Sequence, residues 1–193
     1  MVQYSTALSH IFLAGTSFYC LRISSINQLL FCKFSFGIIM FHSILGIWRW
    51  GNPQYGYKID KIYKLAGLLQ DLLVLPCIVT TIWLRYNFSF SLAGVHTVIS
   101  IIPLLIYLFN RRNEPVDAFL IGNVLSLVVI STYHGNPFGI SMAMSYIISY
   151  FIIKHDMLSN LPIEVPTQDL FNYSMCFFVI FALRAVLETG YFI

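Results

Sequence analysis

Charged residues are scarce in this sequence. They make up 10% of its 193 residues, whereas 58% of the residues are hydrophobic and the mean hydropathy is +0.77. A soluble domain carries about 25% charged residues, because it must cover a water-facing surface. The shortage of charge therefore excludes an ordinary soluble domain and favours an integral membrane protein.

Several kinds of site are missing as well. The net charge is only +3 and the 11 Lys and Arg residues are scattered, so the basic patch of a nucleic-acid-binding protein is absent and no nucleic-acid partner is expected. The 4 cysteines include no C-x-x-C pair, so neither a zinc knuckle nor a disulfide framework is expected. The chain also lacks G-x-S-x-G, a phosphate-binding glycine loop and H-E-x-x-H. No motif identifies an enzyme, and the sequence leaves that question open.

Long apolar runs are what the sequence does contain. A transmembrane helix needs about 20 largely apolar residues, and the runs here are continuous, whereas the strands of a membrane barrel alternate in polarity. The sequence therefore predicts an all-α, polytopic membrane protein, with residues 1–193 forming a single helical-bundle domain. The predicted spans are Tyr4–Leu21, Leu29–Trp48, Leu65–Leu84, Phe88–Phe109, Ala118–His134, Pro137–Ile153 and Leu170–Phe192.

The basic residues predict an orientation in the membrane. With seven spans, seven basic residues fall in the loops of one side and four on the other side or near it. Because Lys and Arg are enriched in cytoplasmic loops, this bias predicts a cytoplasmic N-terminus and an exoplasmic C-terminus. The organelle is not indicated.

A small set of polar residues interrupts the apolar runs at a similar depth. A helix rises about 1.5 Å per residue, so Asp71, seven residues beyond Lys64, lies about 10 Å into its span. Counting residues from the end of each span in the same way places four other polar residues at a similar depth, whereas His96 lies nearer the opposite side. The candidate polar layer consists of His10, His42, Gln70, Asp71 and Asn123.

This polar layer is compatible with three roles. Polar side chains in a membrane can simply hydrogen-bond between helices, as in a subunit of a membrane complex. They can also line a path for a solute, a proton or a lipid. The third role is an intramembrane, metal-dependent lipid hydrolase, in which His10, His42 and Asp71 bind a divalent metal such as zinc. Only this alternative requires a cofactor. The expected partners are the lipid bilayer and a small molecule, a lipid or another membrane protein.

The sequence also predicts a partner for Asp71. Consecutive helices joined by a short loop are usually neighbours, and a charge buried without a partner costs several kcal/mol. We therefore expect Asp71 to point into the bundle, with His42 or His10 as its nearest polar partner and Gln70 in the same layer.

Overall fold

A computed structural model describes residues 4–52, 54–110, 116–155 and 165–189. Within these ranges the secondary structure is entirely helical, which confirms the predicted all-α class for this part of the chain. Besides the α-helices, a 3₁₀ turn covers Gly56–Ile59 and a π-helical segment covers Ile147–Lys154. The seven α-helices are α1 (Tyr4–Ile26), α2 (Leu30–Gly51), α3 (Asp60–Arg85), α4 (Phe90–Asn110), α5 (Val116–Tyr133), α6 (Pro137–Tyr146) and α7 (Thr167–Glu188).

Five helical stretches of the described chain are long and apolar enough to cross a membrane, which fits a multi-pass membrane protein. Helix α1 is not among them, and α4 counts only as a shorter apolar helix over Phe90–Ile106. Polar residues lower the hydropathy of α1, yet Ser9, His10 and Ser17 are fully buried against neighbouring helices. The five stretches are Leu30–Gly51, Gly56–Arg85, Val116–Tyr133, Pro137–Lys154 and Thr167–Glu188.

Helix α3 occupies the centre of the bundle. It packs against α2, α4, α5 and α7, while α1 packs against both α2 and α7. The middle of α3 is almost completely buried, and Leu75, Ile78 and Ile82 are each 0% exposed. Helix α4 lies at the edge, because its contacts are mainly with α3 and many of its apolar side chains are exposed.

Three tight turns keep consecutive helices adjacent at one end of the bundle. Each contains one residue with a positive φ: Gln28 between α1 and α2, Asn87 between α3 and α4, and Gly135 between α5 and α6. A left-handed residue just after a helix ends it and redirects the chain. The α2 C-terminus and the N-termini of α1 and α3 lie at the other end, which also holds the π-helical segment. We call this the Lys154 end.

The π-helical segment is the main departure from the sequence prediction. A single helical span was expected over Pro137–Ile153, but the backbone changes from α to π at Ile147. A π turn is wider than an α turn and rotates the side chains that follow it; such segments are frequent at functional sites. Here the segment ends at Lys154, which it places against α3.

Candidate functional site

A cavity of about 450 Å³ lies at the Lys154 end, between α2, α3, α7 and the π-helical segment. Its lining combines charged, neutral polar and apolar side chains, which suits a molecule with both polar and apolar parts. We call it the main cavity. Its lining includes His42, Tyr63, Lys64, Gly67, Leu68, Asp71, Lys154 and Phe171.

Two buried histidines and a tyrosine meet beside the main cavity. His10 is 0% exposed and His42 is 5% exposed. The Nε2 atom of His10 lies 3.1 Å from the Tyr63 hydroxyl, and the two imidazole centroids are 5.7 Å apart. The His42 and Tyr63 rings are closer, with 4.6 Å between their centroids. Helices α1, α2 and α3 therefore each contribute one ring to a single cluster.

Gln70 fixes the tautomer of His42. Its side-chain oxygen Oε1 lies 2.8 Å from His42 Nδ1. An amide oxygen only accepts hydrogen bonds, so Nδ1 donates and the neutral ring carries its lone pair on Nε2. This Nε2 is buried and has no hydrogen-bond partner among the described residues. The absent side chain of Gly67 leaves room at that edge of the ring, since a Cβ there would lie 3.5 Å from Nε2.

Asp71 is paired with a lysine. Its Oδ2 accepts a hydrogen bond and ion pair from Lys154 Nζ, so the prediction that His42 or His10 is its nearest polar partner is wrong. The Asp71 side chain is 13% exposed and that of Lys154 is 38% exposed. An ammonium group compensates an ionised carboxylate better than a neutral imidazole does. The π-helical segment supplies that ammonium group, which the sequence prediction had placed just outside the sixth span.

The structure unites only part of the candidate polar layer. His10, His42 and Gln70 belong to one cluster through direct contacts, and Asp71 lines the same cavity as His42. Asn123 instead donates to the carbonyl of Phe119, one turn earlier in its own helix.

Each candidate metal ligand has a protein partner, although one ring nitrogen of His10 and one of His42 have none among the described residues. His10 contacts Tyr63, His42 contacts Gln70, and Asp71 is bound to Lys154. Across the described ranges, no group of three or more His, Cys, Asp or Glu side chains is arranged to hold a metal ion. The residues that line the main cavity offer hydrogen-bond donors, hydrogen-bond acceptors and the Asp71–Lys154 ion pair.

Tyr63 was missed because the third span was predicted to begin at Leu65. The helix begins at Asp60 instead, which turns Tyr63 into the bundle. Tyr63, Gly67 and Asp71 are spaced i, i+4 and i+8, so they lie on one helix face. That spacing is the signal in the sequence that could have found Tyr63.

A second group of polar residues joins α1 to α7. Asp169, in the first turn of α7, is 2% exposed and accepts a hydrogen bond of 3.3 Å from the Ser9 hydroxyl. Asn172 donates to the same hydroxyl at 2.9 Å. The sequence prediction placed Asp169 outside the last span. Because its recorded contacts link two helices, we assign it a structural role.

A third polar group lies away from the Lys154 end. The Ser126 hydroxyl receives a hydrogen bond from Trp83 Nε1 at 3.0 Å and lies 2.7 Å from His96 Nε2. The other ring nitrogen of His96 lies 3.0 Å from the carbonyl of Ala93. Both imidazole nitrogens thus have protein partners, and the contacts connect α3, α4 and α5.

Comparisons of the chain with protein-family models, curated proteins and solved structures gave no match. We therefore infer a function from the geometry and chemistry of the main cavity alone.

Proposed function

We propose that this is a multi-pass membrane protein that binds the polar end of a small amphipathic molecule, such as a membrane lipid, in the main cavity. In this proposal the protein handles or transports that molecule within the membrane. The observation that supports it most directly is the buried, unpartnered Nε2 of His42. Leaving such an acceptor unpaired costs about 1–3 kcal/mol. A hydroxyl or amine of a bound ligand would remove that cost.

The shape and lining of the main cavity support an amphipathic ligand. Its volume of about 450 Å³ lies within the range of about 300–1,000 Å³ that is usual for small-molecule sites. Leu68 and Phe171 supply apolar walls, whereas Lys64, Asp71 and Lys154 supply charge. A purely apolar ligand would lie against these charged groups and exclude water from them, and a purely polar one would leave the apolar walls uncovered.

The proposal includes the position of the bundle in the membrane. All seven helices cross it, with the N-terminus cytoplasmic and the C-terminus exoplasmic. The distribution of basic residues supports this orientation, because seven lie in the loops of the side that includes Lys154 and four lie on or near the other side. The main cavity then lies in the cytoplasmic half of the membrane, where a lipid headgroup of the inner leaflet can reach Lys64 and Lys154.

Filling the main cavity tests the proposal. Gly67→Leu places a side chain against the free edge of His42, while Gly94→Leu is the matched control, because a Cβ at Gly94 has no neighbour within 4 Å. Each protein is purified in a mild neutral detergent, and its bound lipids are identified by mass spectrometry. We expect the wild type and Gly94→Leu to retain the same lipid and Gly67→Leu to lose it. Equal lipid content in all three proteins would contradict the proposal.

A second variant tests the role of His42 itself. His42→Leu removes the acceptor, whereas His42→Gln keeps a polar group at the same place. We expect the affinity for the retained lipid to fall about tenfold in His42→Leu, which corresponds to about 1.4 kcal/mol, and to fall less in His42→Gln. If both variants bind as tightly as the wild type, His42 has no part in recognition.

A further inference from the structure

Lys154 can bind a ligand in addition to its ion-pair partner Asp71. Its Nζ is 5.3 Å from the ring centroid of Tyr150 and 5.5 Å from that of Phe171. These aromatic rings favour a cation at this position. An ammonium group has three N–H donors, and the Lys154 side chain remains 38% exposed while bound to Asp71. The lysine is therefore held at the edge of the main cavity with donor capacity to spare.

The charges that line the main cavity favour an anion. Lys64 and Lys154 contribute two positive charges and Asp71 contributes one negative charge. Lys64 also pairs with Asp60, outside the cavity, at 2.7 Å, and Asp60 is bound by Arg49 as well, at 2.9 Å. A cleft with an excess of one sign of charge attracts ligands of the opposite sign.

A smaller cavity lies on the other side of the Asp71–Lys154 pair. It has a volume of about 240 Å³ and lies between α3, α5 and the π-helical segment. It shares Leu68, Asp71 and Lys154 with the main cavity. On its far side Asp117 accepts a hydrogen bond of 3.1 Å from the Tyr150 hydroxyl. The ion pair therefore forms part of the wall between the two cavities.

We infer that the ligand of the main cavity is an amphipathic anion, with a phosphate monoester or carboxylate head that binds Lys154, and that Asp71 is an internal competitor for the same lysine. This inference rests on the proposed function and adds the charge of the ligand to it. The ligand head can displace the Asp71 carboxylate, or it can bind Lys154 beside it and meet its repulsion. Asp71 weakens binding in both cases, because a carboxylate opposes a second anion at the same cation.

The competition predicts opposite effects for the two members of the ion pair. Lys154→Gln removes the cation, and we expect it to weaken binding of the anion at least tenfold. Asp71→Asn removes the competing charge but keeps hydrogen bonding, and we expect it to tighten binding several-fold. A pair with only a structural role would show a loss of binding in both variants. Lys33→Gln is the control, since Lys33 lies at the other end of the bundle, at the start of α2.

The experiment uses the full-length protein in neutral detergent, with fluorescently labelled lysophosphatidic acid as the probe. Unlabelled competitors are oleate, inorganic phosphate and a lysophosphatidylcholine of equal chain length. We expect lysophosphatidic acid and oleate to compete well and the zwitterionic lipid to compete at least tenfold less. Weak competition by inorganic phosphate would indicate a lipid headgroup, whereas strong competition would indicate that the free anion suffices.

Two outcomes separate this inference from the proposed function. If the anionic and zwitterionic lipids bind equally and Gly67→Leu abolishes both, the main cavity is a lipid site but the inferred anion preference is wrong. If neither lipid binds and none is retained on purification, the proposed function fails as well. Should Lys154→Gln aggregate, the double variant Asp71→Asn/Lys154→Gln removes both charges. Binding as tight as that of Asp71→Asn in this double variant would overturn the role of Lys154.

Discussion

Gly46 of α2 lies directly against the ring of His10. It lies in the last part of α2, and a Cβ added to it would be only 2.5 Å from three atoms of the His10 ring. His10 is 0% exposed and in contact with Tyr63, so a shift of its ring would disturb this contact and the buried residues around it. We predict that Gly46→Ala destabilises the protein although it adds only one methyl group.

The size of the effect follows from three terms. Overpacking a filled interior costs about 1–3 kcal/mol. Displacing the ring also breaks the hydrogen bond between His10 and Tyr63, worth about 1 kcal/mol. The better helix propensity of alanine returns about 0.5–1 kcal/mol. The expected loss for Gly46→Ala is therefore about 1–3 kcal/mol of unfolding free energy.

The assay is unfolding of the purified protein in detergent, followed by tryptophan fluorescence. Gly15→Ala is the control, because a Cβ at Gly15 in α1 has no neighbour within 4 Å. We expect the control to be neutral or slightly stabilising. Adding His10→Ala to Gly46→Ala removes the steric conflict, so the double variant should be more stable than the sum of the single effects by at least about 1 kcal/mol. Additive effects, or equal behaviour of Gly46→Ala and Gly15→Ala, would refute the packing argument.

Three further predictions concern other parts of the bundle. Asn136→Ala should cost about 2–4 kcal/mol in the same unfolding assay, because Asn136 caps α6 and also donates two hydrogen bonds, to Tyr86 and to a carbonyl of α7; a cost below about 1 kcal/mol would contradict this. Ser126→Ala should cost about 1–2 kcal/mol, since it deprives His96 and Trp83 of a partner. In contrast, Ser141→Ala should be nearly neutral, because Ser141 is half-buried and its hydroxyl donates only to Pro137 in its own helix. In a protease-protection assay, a tag at the N-terminus should be cytoplasmic and one at the C-terminus exoplasmic; tags on the same side would refute an odd number of spans.

Helix positions could be predicted from the sequence because they depend on hydropathy, which can be summed over consecutive residues. Apolar runs of about 20 residues indicate helices wherever the backbone must satisfy its own hydrogen bonds. The predicted span beginning at Pro137 starts where α6 starts, since Asn136 caps that helix and Pro137 suits its first turn. The early start of α3 was missed, because Asp60, Lys61 and Lys64 look like loop residues when only hydropathy is considered.

A shared level along the bundle could be predicted for part of the polar layer, but the contacts made there could not. Counting residues from the ends of the spans placed His10, His42 and Gln70 at one level, and the structure brings these three together. Rotation about each helix axis decides which residues at one level meet, and a count from the end of a span carries an error of a few residues. Asn123 shows the consequence, because its amide bonds within its own helix.

The partner of Asp71 shows a different kind of limit. The direction in which Lys154 points could be extrapolated from its span only if the α-helical i to i+4 spacing continued to the end. The backbone changes from an α-helix to a π-helix at Ile147 instead. The preceding sequence has no proline or glycine between Gly139 and Lys154 that would mark a change of helix type. The π-helical segment packs against α7 and pairs Lys154 with Asp71 of α3, and such contacts are not visible in a single sequence.

Unpaired buried atoms alone do not identify the site. Within the described ranges, eight buried side-chain nitrogen or oxygen atoms have no hydrogen-bond partner, and His134 Nε2 is one of them, like His42 Nε2. The His134 ring, however, stacks on Tyr86 with 3.8 Å between the centroids, and this stacking accounts for its position. Of the eight residues, only His42 lines the main cavity, where charged and apolar groups also meet. The combination of a free acceptor, a charged pair and an open volume at the Lys154 end therefore supports our proposal that a ligand binds there.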